Sequence, residues 1–211
     1  MRHFSFLDNI IQQIDRALRL TTQPTTANRP NPGAVFPEPT LTAIETQQVI
    51  ALMRINHAGE ISAQGLYNGQ ALTARLTHVR TQMEAAAAEE IDHLAWCRTR
   101  IEQLNGRVSY LDPLWYLGSF VIGATAGAIG DRWSLGFIAE TERQVGIHLQ
   151  SHLTKLPLLD QISHAILSQM QAEEACHEAS ALAAGGRALP WIVQCLMRGI
   201  SKIMVTTAGY F

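Results

Sequence analysis

Two short runs of this chain have the residue types and spacing to hold metal. Residues 89–93 read EEIDH and residues 173–177 read EEACH, so Glu90 with His93 and Glu174 with His177 form two copies of Glu-x-x-His, 84 residues apart. On a helix, positions three apart share a face, so each copy can aim a carboxylate and an imidazole at one point. A further glutamate precedes each copy at a near-equal distance: Glu60 stands 30 residues before Glu90, and Glu142 stands 32 before Glu174. Four helices supplying Glu, Glu-x-x-His, Glu and Glu-x-x-His carry the donor set of a carboxylate-bridged di-metal site inside a four-helix bundle. Small and apolar residues surround these positions, among them Ala85 to Ala88, Leu94, Ala95, Trp96, Ala172 and Ala175, which turns the bearing face inward. Four buried carboxylates without counter-charge are very costly. Two divalent cations cancel them and leave two neutral imidazoles as nitrogen donors. Such oxygen-rich ligation suits iron or manganese better than zinc, and iron is favoured if the task is oxygen activation.

The elements that must position these residues follow from periodicity. Apolar residues recur three and four apart from Thr42 onward (Ile44, Val49, Ile50, Leu52, Met53, Ile61, Leu66), which predicts one long helix over 41–75. A second helix is expected over 78–104, rich in Ala, Glu and Arg and stopped by Asn105-Gly106. The two form an antiparallel hairpin. Helices over 132–155 and 158–184 make a second hairpin, broken at Pro157 and ended at Gly185-Gly186. A last helix is expected over 189–205, and no segment passes the length and periodicity test for a strand. Ahead of all this, MRHFSFLDNIIQQIDRALRL reads as an amphipathic helix. Five of the eight prolines then fall between residues 21 and 40, in a linker or wrapping arm that cannot propagate a helix. The chain thus divides into a helix and Pro-rich arm over 1–40 and a metal-binding domain over 41–211.

Composition narrows the function classes. The 211 residues are 47% hydrophobic and 16% charged with a net charge of −2, which argues against a nucleic-acid partner. Cys97, Cys176 and Cys195 are odd in number and lack C-x-x-C spacing, so neither a disulfide framework nor a thiolate zinc site is indicated. Cys176, inside the second motif, reads as a small buried filler. Each imidazole needs an outer partner to fix its tautomer, and His57, Asp92 and His148 are candidates. Tyr67, seven residues after Glu60, falls on nearly the same face and is expected to pack in the core or line the pocket.

The stretch RINHAGE (54–60), the EEIDH and EEACH pairs and ETERQVGIH (140–148) resemble the demethoxyubiquinone hydroxylases of ubiquinone biosynthesis, in their bacterial form. The resemblance covers about residues 45–211. It implies an all-α, ferritin-like four-helix bundle with additional N-terminal, crossover and C-terminal helices. It places the family's iron ligands on Glu60, Glu90, His93, Glu142, Glu174 and His177, the six that spacing selects independently. It also implies a histidine near the centre at His148, which eukaryotic members follow with a tyrosine where this chain has Leu149. Asn56 stands where an aspartate is common in the family. The implied activity is a di-iron monooxygenase that inserts one atom of O2 into the ring of a polyprenylated methoxy-benzoquinol. Its cofactors are two ferrous ions, with O2 as co-substrate and an external reductant, for which the family's association with NADH is the implied candidate. Nothing in the residues themselves encodes a nicotinamide or flavin site.

A lipid-tailed substrate demands an apolar entrance. Between Asp112 and Asp131 lie 18 residues without a charge, PLWYLGSFVIGATAGAIG, at the crossover between the hairpins. Four glycines and Pro113 weaken this stretch as a membrane span, which leaves a buried crossover helix or a surface that dips into one leaflet. The final segment sets Trp191, Ile192, Leu196, Ile200 and Ile203 beside Arg198 and Lys202, as an interfacial helix does. The N-terminus shows no secretion signal or presequence, so peripheral attachment to the cytoplasmic side of the cell membrane is expected. The expected partners are the polyprenylated quinol, membrane lipid, and either a second copy of the chain or other ubiquinone-biosynthesis proteins. An iron-storage or ferroxidase bundle is the alternative. It needs a soluble polar exterior, and the stretch from Pro113 to Gly130 counts against it. A purely structural helical protein would bind no metal.

Overall fold

The computed structural model describes residues 6–210. Its helices are α1 (Phe6–Thr22), α2 (Ala43–Thr73), α3 (Thr77–Gln103), α4 (Asp112–Ile129), α5 (Asp131–Leu153), α6 (Gln161–Ala183) and α7 (Trp191–Tyr210), with a short 3-10 turn at Pro32–Val35 in the arm. The described residues contain no strand. The four bundle helices begin and end within three residues of the expected limits, while α7 runs five residues further. The first five residues of the expected N-terminal helix, and Phe211, lie outside the described residues.

Local chemistry accounts for the boundaries. Thr42 and Glu45 form a capping box at the start of α2: the Glu45 N–H donates to the Thr42 hydroxyl, and the Thr42 N–H donates to the Glu45 carboxylate at 2.8 Å. At the end of α3, Asn105 takes φ 57° and the Gly106 N–H returns to the Ile101 carbonyl at 2.8 Å. Asp160 caps α6 by accepting from the Ser163 N–H at 3.1 Å.

α2 packs on α3 and α5 on α6, and α4 crosses between the hairpins along α2. Glycine makes that crossing close. A Cβ at Gly69 would lie 2.2 Å from the Phe120 carbonyl oxygen, and one at Gly123 would lie 2.2 Å from that of Leu66. Neither position accepts a side chain without separating the helices. The glycines that weaken the 113–130 stretch as a free span are therefore what lets it dock. Burial is one-sided. Tyr116, Gly123, Ala126 and Gly127 face the bundle, while Leu114, Leu117 and Val121 are more than half exposed. Of the two alternatives open for this stretch, a buried crossover helix or a surface one, the structure shows a surface helix with an apolar outer face.

Two apolar clusters fill the bundle on either side of the acidic positions, and a smaller third, of Leu20, Ile61, Leu94 and Tyr116, seats α1 and α4. Of the first two, one gathers Val49, Met53, Trp96, Ile101, Leu149, Ile166 and Met170. The other gathers Tyr67, Val79, Met83, Leu135, Ile138 and Ala181. In every bundle helix the acidic or Glu-x-x-His positions lie, in chain order, between its contributions to the two clusters. The polar signature is thereby held at mid-bundle.

A buried histidine nearby gives the fold a pH signature. His152 on α5 places Nδ1 2.8 Å from Asn56 Oδ1 on α2, with both residues buried. Burial, then His148 and Lys155, lowers its pKa from the ordinary 6.5 to about 4. Between these values the unfolded chain takes up a proton that the folded one refuses. Stability is full above pH 6.5 and is lost as pH falls toward 4, by about 2–3 kcal/mol. In urea denaturation across that range, His152→Gln is expected to flatten the acid-side loss relative to wild type. Identical slopes for the two proteins would contradict this.

Candidate metal centre

Glu60, Glu90, His93 and Glu174 are buried, and one donor atom of each lies within 4.8 Å of the others. Nδ1 of His93 is 2.8 Å from Glu90, 3.2 Å from Glu174 and 3.9 Å from Glu60. Nδ1 of His177 is 3.0 Å from Glu90 and 3.3 Å from Glu174. Glu90 and Glu174 therefore stand between the two imidazoles, with Glu60 approaching from the His93 side. Glu142, also buried, faces Glu174 and Glu90 and accepts a hydrogen bond from the Tyr67 hydroxyl. The fold brings together all six residues selected by spacing.

Whether a metal fits can be read from the donors. Both carboxylate oxygens of Glu90, Oε1 of Glu174 and Nδ1 of His93 are buried and make no hydrogen bond of proper geometry, close as their neighbours are. Buried polar atoms in folded proteins are nearly always paired. Four unpaired donors converging on one space suit a cation, and oxygen-rich donors with one imidazole at each end match iron or manganese.

Electrostatics point the same way. Burial, then the charges of Glu90 and Glu174, push the Glu60 carboxyl well above the ordinary range, and burial with Glu174 and Glu90 does the same to Glu142. Burial also acts to raise Glu90, but the His177 and His93 imidazoles outweigh it and hold this carboxyl low. Burial opposes charge on His177, yet Glu174 and Glu90 push its pKa up to about 12. By itself the protein offsets its clustered negative charge with protons. Those protons occupy lone pairs that a bound metal would take over.

The far ring nitrogens are held by carboxylates in a crossed arrangement. His93 Nε2 on α3 lies 2.5 Å from Glu173 on α6, and His177 Nε2 on α6 lies 2.8 Å from Glu89 on α3. A carboxylate at Nε2 fixes the proton there and leaves the Nδ1 lone pair facing the cluster. Spacing does not single out these glutamates. The doubled glutamate opening both EEIDH and EEACH is the signal that could have.

The outer partners expected from the sequence sit elsewhere. His57 Nδ1 lies 3.2 Å from Asp112 at the start of α4. Asp92 accepts from the Asn28 N–H and the Arg29 Nε–H. His148 Nε2 lies 3.1 Å from the Ser201 hydroxyl on α7. Their places on the imidazoles are taken by Glu173 and Glu89, because i, i+4 glutamates on the facing helix reach the rings at this helix spacing. Tyr67 packs in the core and also touches the cluster through Glu142. Cys176 is exposed, not the buried filler expected, since the inward face at this level is occupied by Glu174 and His177.

Comparisons with known proteins give a family and a fold. A family model described as "Ubiquinone biosynthesis protein COQ7" matches residues 47–208. A protein of Legionella pneumophila (strain Corby) named 3-demethoxyubiquinol 3-hydroxylase is 50% identical over the full length of both chains. Proteins of the same name from Nitrosospira multiformis and Acinetobacter baumannii are 52% identical, over 96% of this chain and 97% of theirs, and 50% identical over 100% of both. Among solved structures, a dodecameric thioferritin from Bacteroides fragilis superposes with a TM-score of 0.56 at 22% identity, covering 65% of this chain and 84% of its own. That likeness concerns the fold alone, which is ferritin-like.

Proposed function

Since the chain belongs to the COQ7 family of ubiquinone biosynthesis proteins, we propose that it hydroxylates the ring of a demethoxyubiquinol at a di-iron centre held by Glu60, Glu90, His93, Glu142, Glu174 and His177. The observation that carries the reading is the convergence of the buried Glu60, Glu90, His93 and Glu174, where both oxygens of Glu90, Oε1 of Glu174 and Nδ1 of His93 lack hydrogen-bond partners, with Glu142 and His177 beside them. In this reading Glu90 and Glu174, which lie between the two imidazoles, would hold the ions from the middle of the cluster. Glu60 and His93 close one end, and Glu142 and His177 the other. Bound ferrous ions supply O2 binding and its reductive activation. The chain's own groups orient the site: Glu89 and Glu173 fix the imidazoles, and the Tyr67 hydroxyl holds Glu142. Hydroxylation puts one oxygen atom into a ring C–H bond and releases the other as water, consuming two electrons and two protons from an external reductant, with NADH as the proposed source.

The substrate's place is proposed from an apolar cavity of about 150 Å³ between α2, α4, α5 and α7, lined by Leu66, Trp115, Ile122, Phe137, Val145 and Met197. Gly59 and Thr141, chain neighbours of Glu60 and Glu142, form part of its wall. A ring bound there abuts the centre, and an isoprenoid tail leaves between α4 and α7. Both helices present apolar residues outward, Leu114, Leu117 and Val121 on α4 and Trp191, Leu196 and Ile203 on α7, with Arg198 and Lys202 nearby. Among the described residues no helix is long and apolar enough to cross a membrane. These faces suit a peripheral seat on a leaflet, on the cytoplasmic side, from which the quinol is drawn. They also weigh against a storage shell, which needs a polar exterior. Supplied with ferrous iron, reductant, a short-tailed demethoxyubiquinol and ¹⁸O₂, the protein is expected to release a hydroxylated quinol carrying one labelled oxygen. Absence of product, or product without label, rules the reading out.

A further inference from the structure

Contacts along its length fasten the arm between α1 and α2 to the bundle, three of them through Glu38, Gly33 and Arg29. Glu38 pairs with Arg100 at 2.8 Å. Gly33 lies so near α6 that a Cβ there would stand 2.7 Å from the Ile162 side chain. The third contact ends at the metal centre. Arg29 donates from Nε to Asp92 at 2.5 Å, and from Nη1 and Nη2 to the two oxygens of Glu173 at 2.5 and 2.9 Å. The Asn28 N–H donates to the other oxygen of Asp92 at 2.6 Å. The guanidinium lies 5.0 Å from the centroid of the Trp96 ring, which in turn lies 5.5 Å from the His93 ring. Glu173, gripped in this way, is the carboxylate on His93 Nε2.

The His177 end is built differently. Its Nε2 partner, Glu89, has a side chain 57% exposed, against 18% for Glu173, and among the described residues no arginine or lysine pairs with it. His177 is itself 11% exposed where His93 is fully buried. A bidentate guanidinium fixes a carboxylate in plane and position, whereas an exposed carboxylate exchanges its partner with water.

We infer that Arg29 is a positioning residue for the metal centre: the arm locks the His93 end through Glu173, so that this end holds its ion firmly while the His177 end holds its ion loosely. The inference rests on the metal-centre reading above. It assigns a task to a segment that lies before the residues matched by the family model.

The test is release of iron. Protein loaded without oxygen with two equivalents of ferrous iron is mixed with excess ferrozine, and chelation is followed by absorbance. Wild type is expected to lose its iron in two phases of similar amplitude. Arg29→Met should accelerate the slow phase by roughly 10-fold, the lower end of the range for losing an outer partner of a ligand, since Arg29 acts through Glu173, and leave the fast phase unchanged. Arg29→Lys keeps the charge but cannot grip both carboxylates, so it should accelerate the slow phase as well. Glu89→Gln should accelerate only the fast phase. A slow phase unaltered in both Arg29 variants overturns the inference. So does equal acceleration of both phases together with a lowered melting temperature of the metal-free protein, which marks a merely structural role. Wild type that releases two irons at a single rate overturns this inference alone, whereas wild type that takes up no iron overturns the metal centre and this inference with it.

Discussion

Replacing Glu142 or His177 with alanine is expected to abolish quinol hydroxylation and to lower the iron content of the purified protein. Glu142 is a buried donor and the acceptor for Tyr67, and His177, only 11% exposed, is the imidazole donor at the same end of the cluster. A metal's stabilisation of developing charge is worth several kcal/mol, so turnover should fall by about a thousandfold or more. Metal analysis and the hydroxylation assay read the two losses separately, and circular dichroism checks that the helices persist. Full activity and full iron in either variant would remove the assignment of that residue.

The largest effect on stability is expected at Arg100, which lies on α3 away from the metal. Its side chain is fully buried and donates to Asp160 at 2.9 Å, to the Ser163 hydroxyl at 3.1 Å and to Glu38 at 2.8 Å. Asp160 is equally buried and caps α6. Arg100→Met leaves that carboxylate without its cation, which costs about 3–5 kcal/mol. In a chain of this size the melting temperature should drop by about 10 °C. Adding Asp160→Asn removes the stranded charge and keeps an oxygen for the Ser163 N–H, so the double variant should recover part of the loss. A single variant that melts with wild type would show that the pair carries no net stability.

Much of the site was legible because metal chemistry restricts both residue type and spacing. Glu-x-x-His repeated across two hairpins leaves few other uses for four inward-facing carboxylates. Helices α2, α3, α5 and α6 were legible for a related reason: long amphipathic segments with strong stop signals, such as Asn105-Gly106 and Gly185-Gly186, declare their ends. What escaped depends on contacts between segments remote in sequence. Arg100 sits in a run with the composition of a surface helix, and only the approach of Asp160 from α6 shows that it is buried. Arg29 reads as a charge in a proline-rich linker until α3 and α6 bring Asp92 and Glu173 beside it. The glycines of α4 look like helix breakers because their use, close approach to α2, belongs to the partner helix and not to local propensity. Glu89 and Glu173 were in plain view, but each serves a ring on the opposite hairpin, which no local pattern can express.

That crossed service has a consequence for how the two halves find each other. A polypeptide severed in the connection between them would yield two fragments, each with an imidazole whose outer nitrogen is held in the intact protein by a carboxylate of the other. Reassembly and completion of the centre then become a single event. Mispaired halves are penalised by the same carboxylates that tune the finished site, so fidelity of association is written into the chemistry itself.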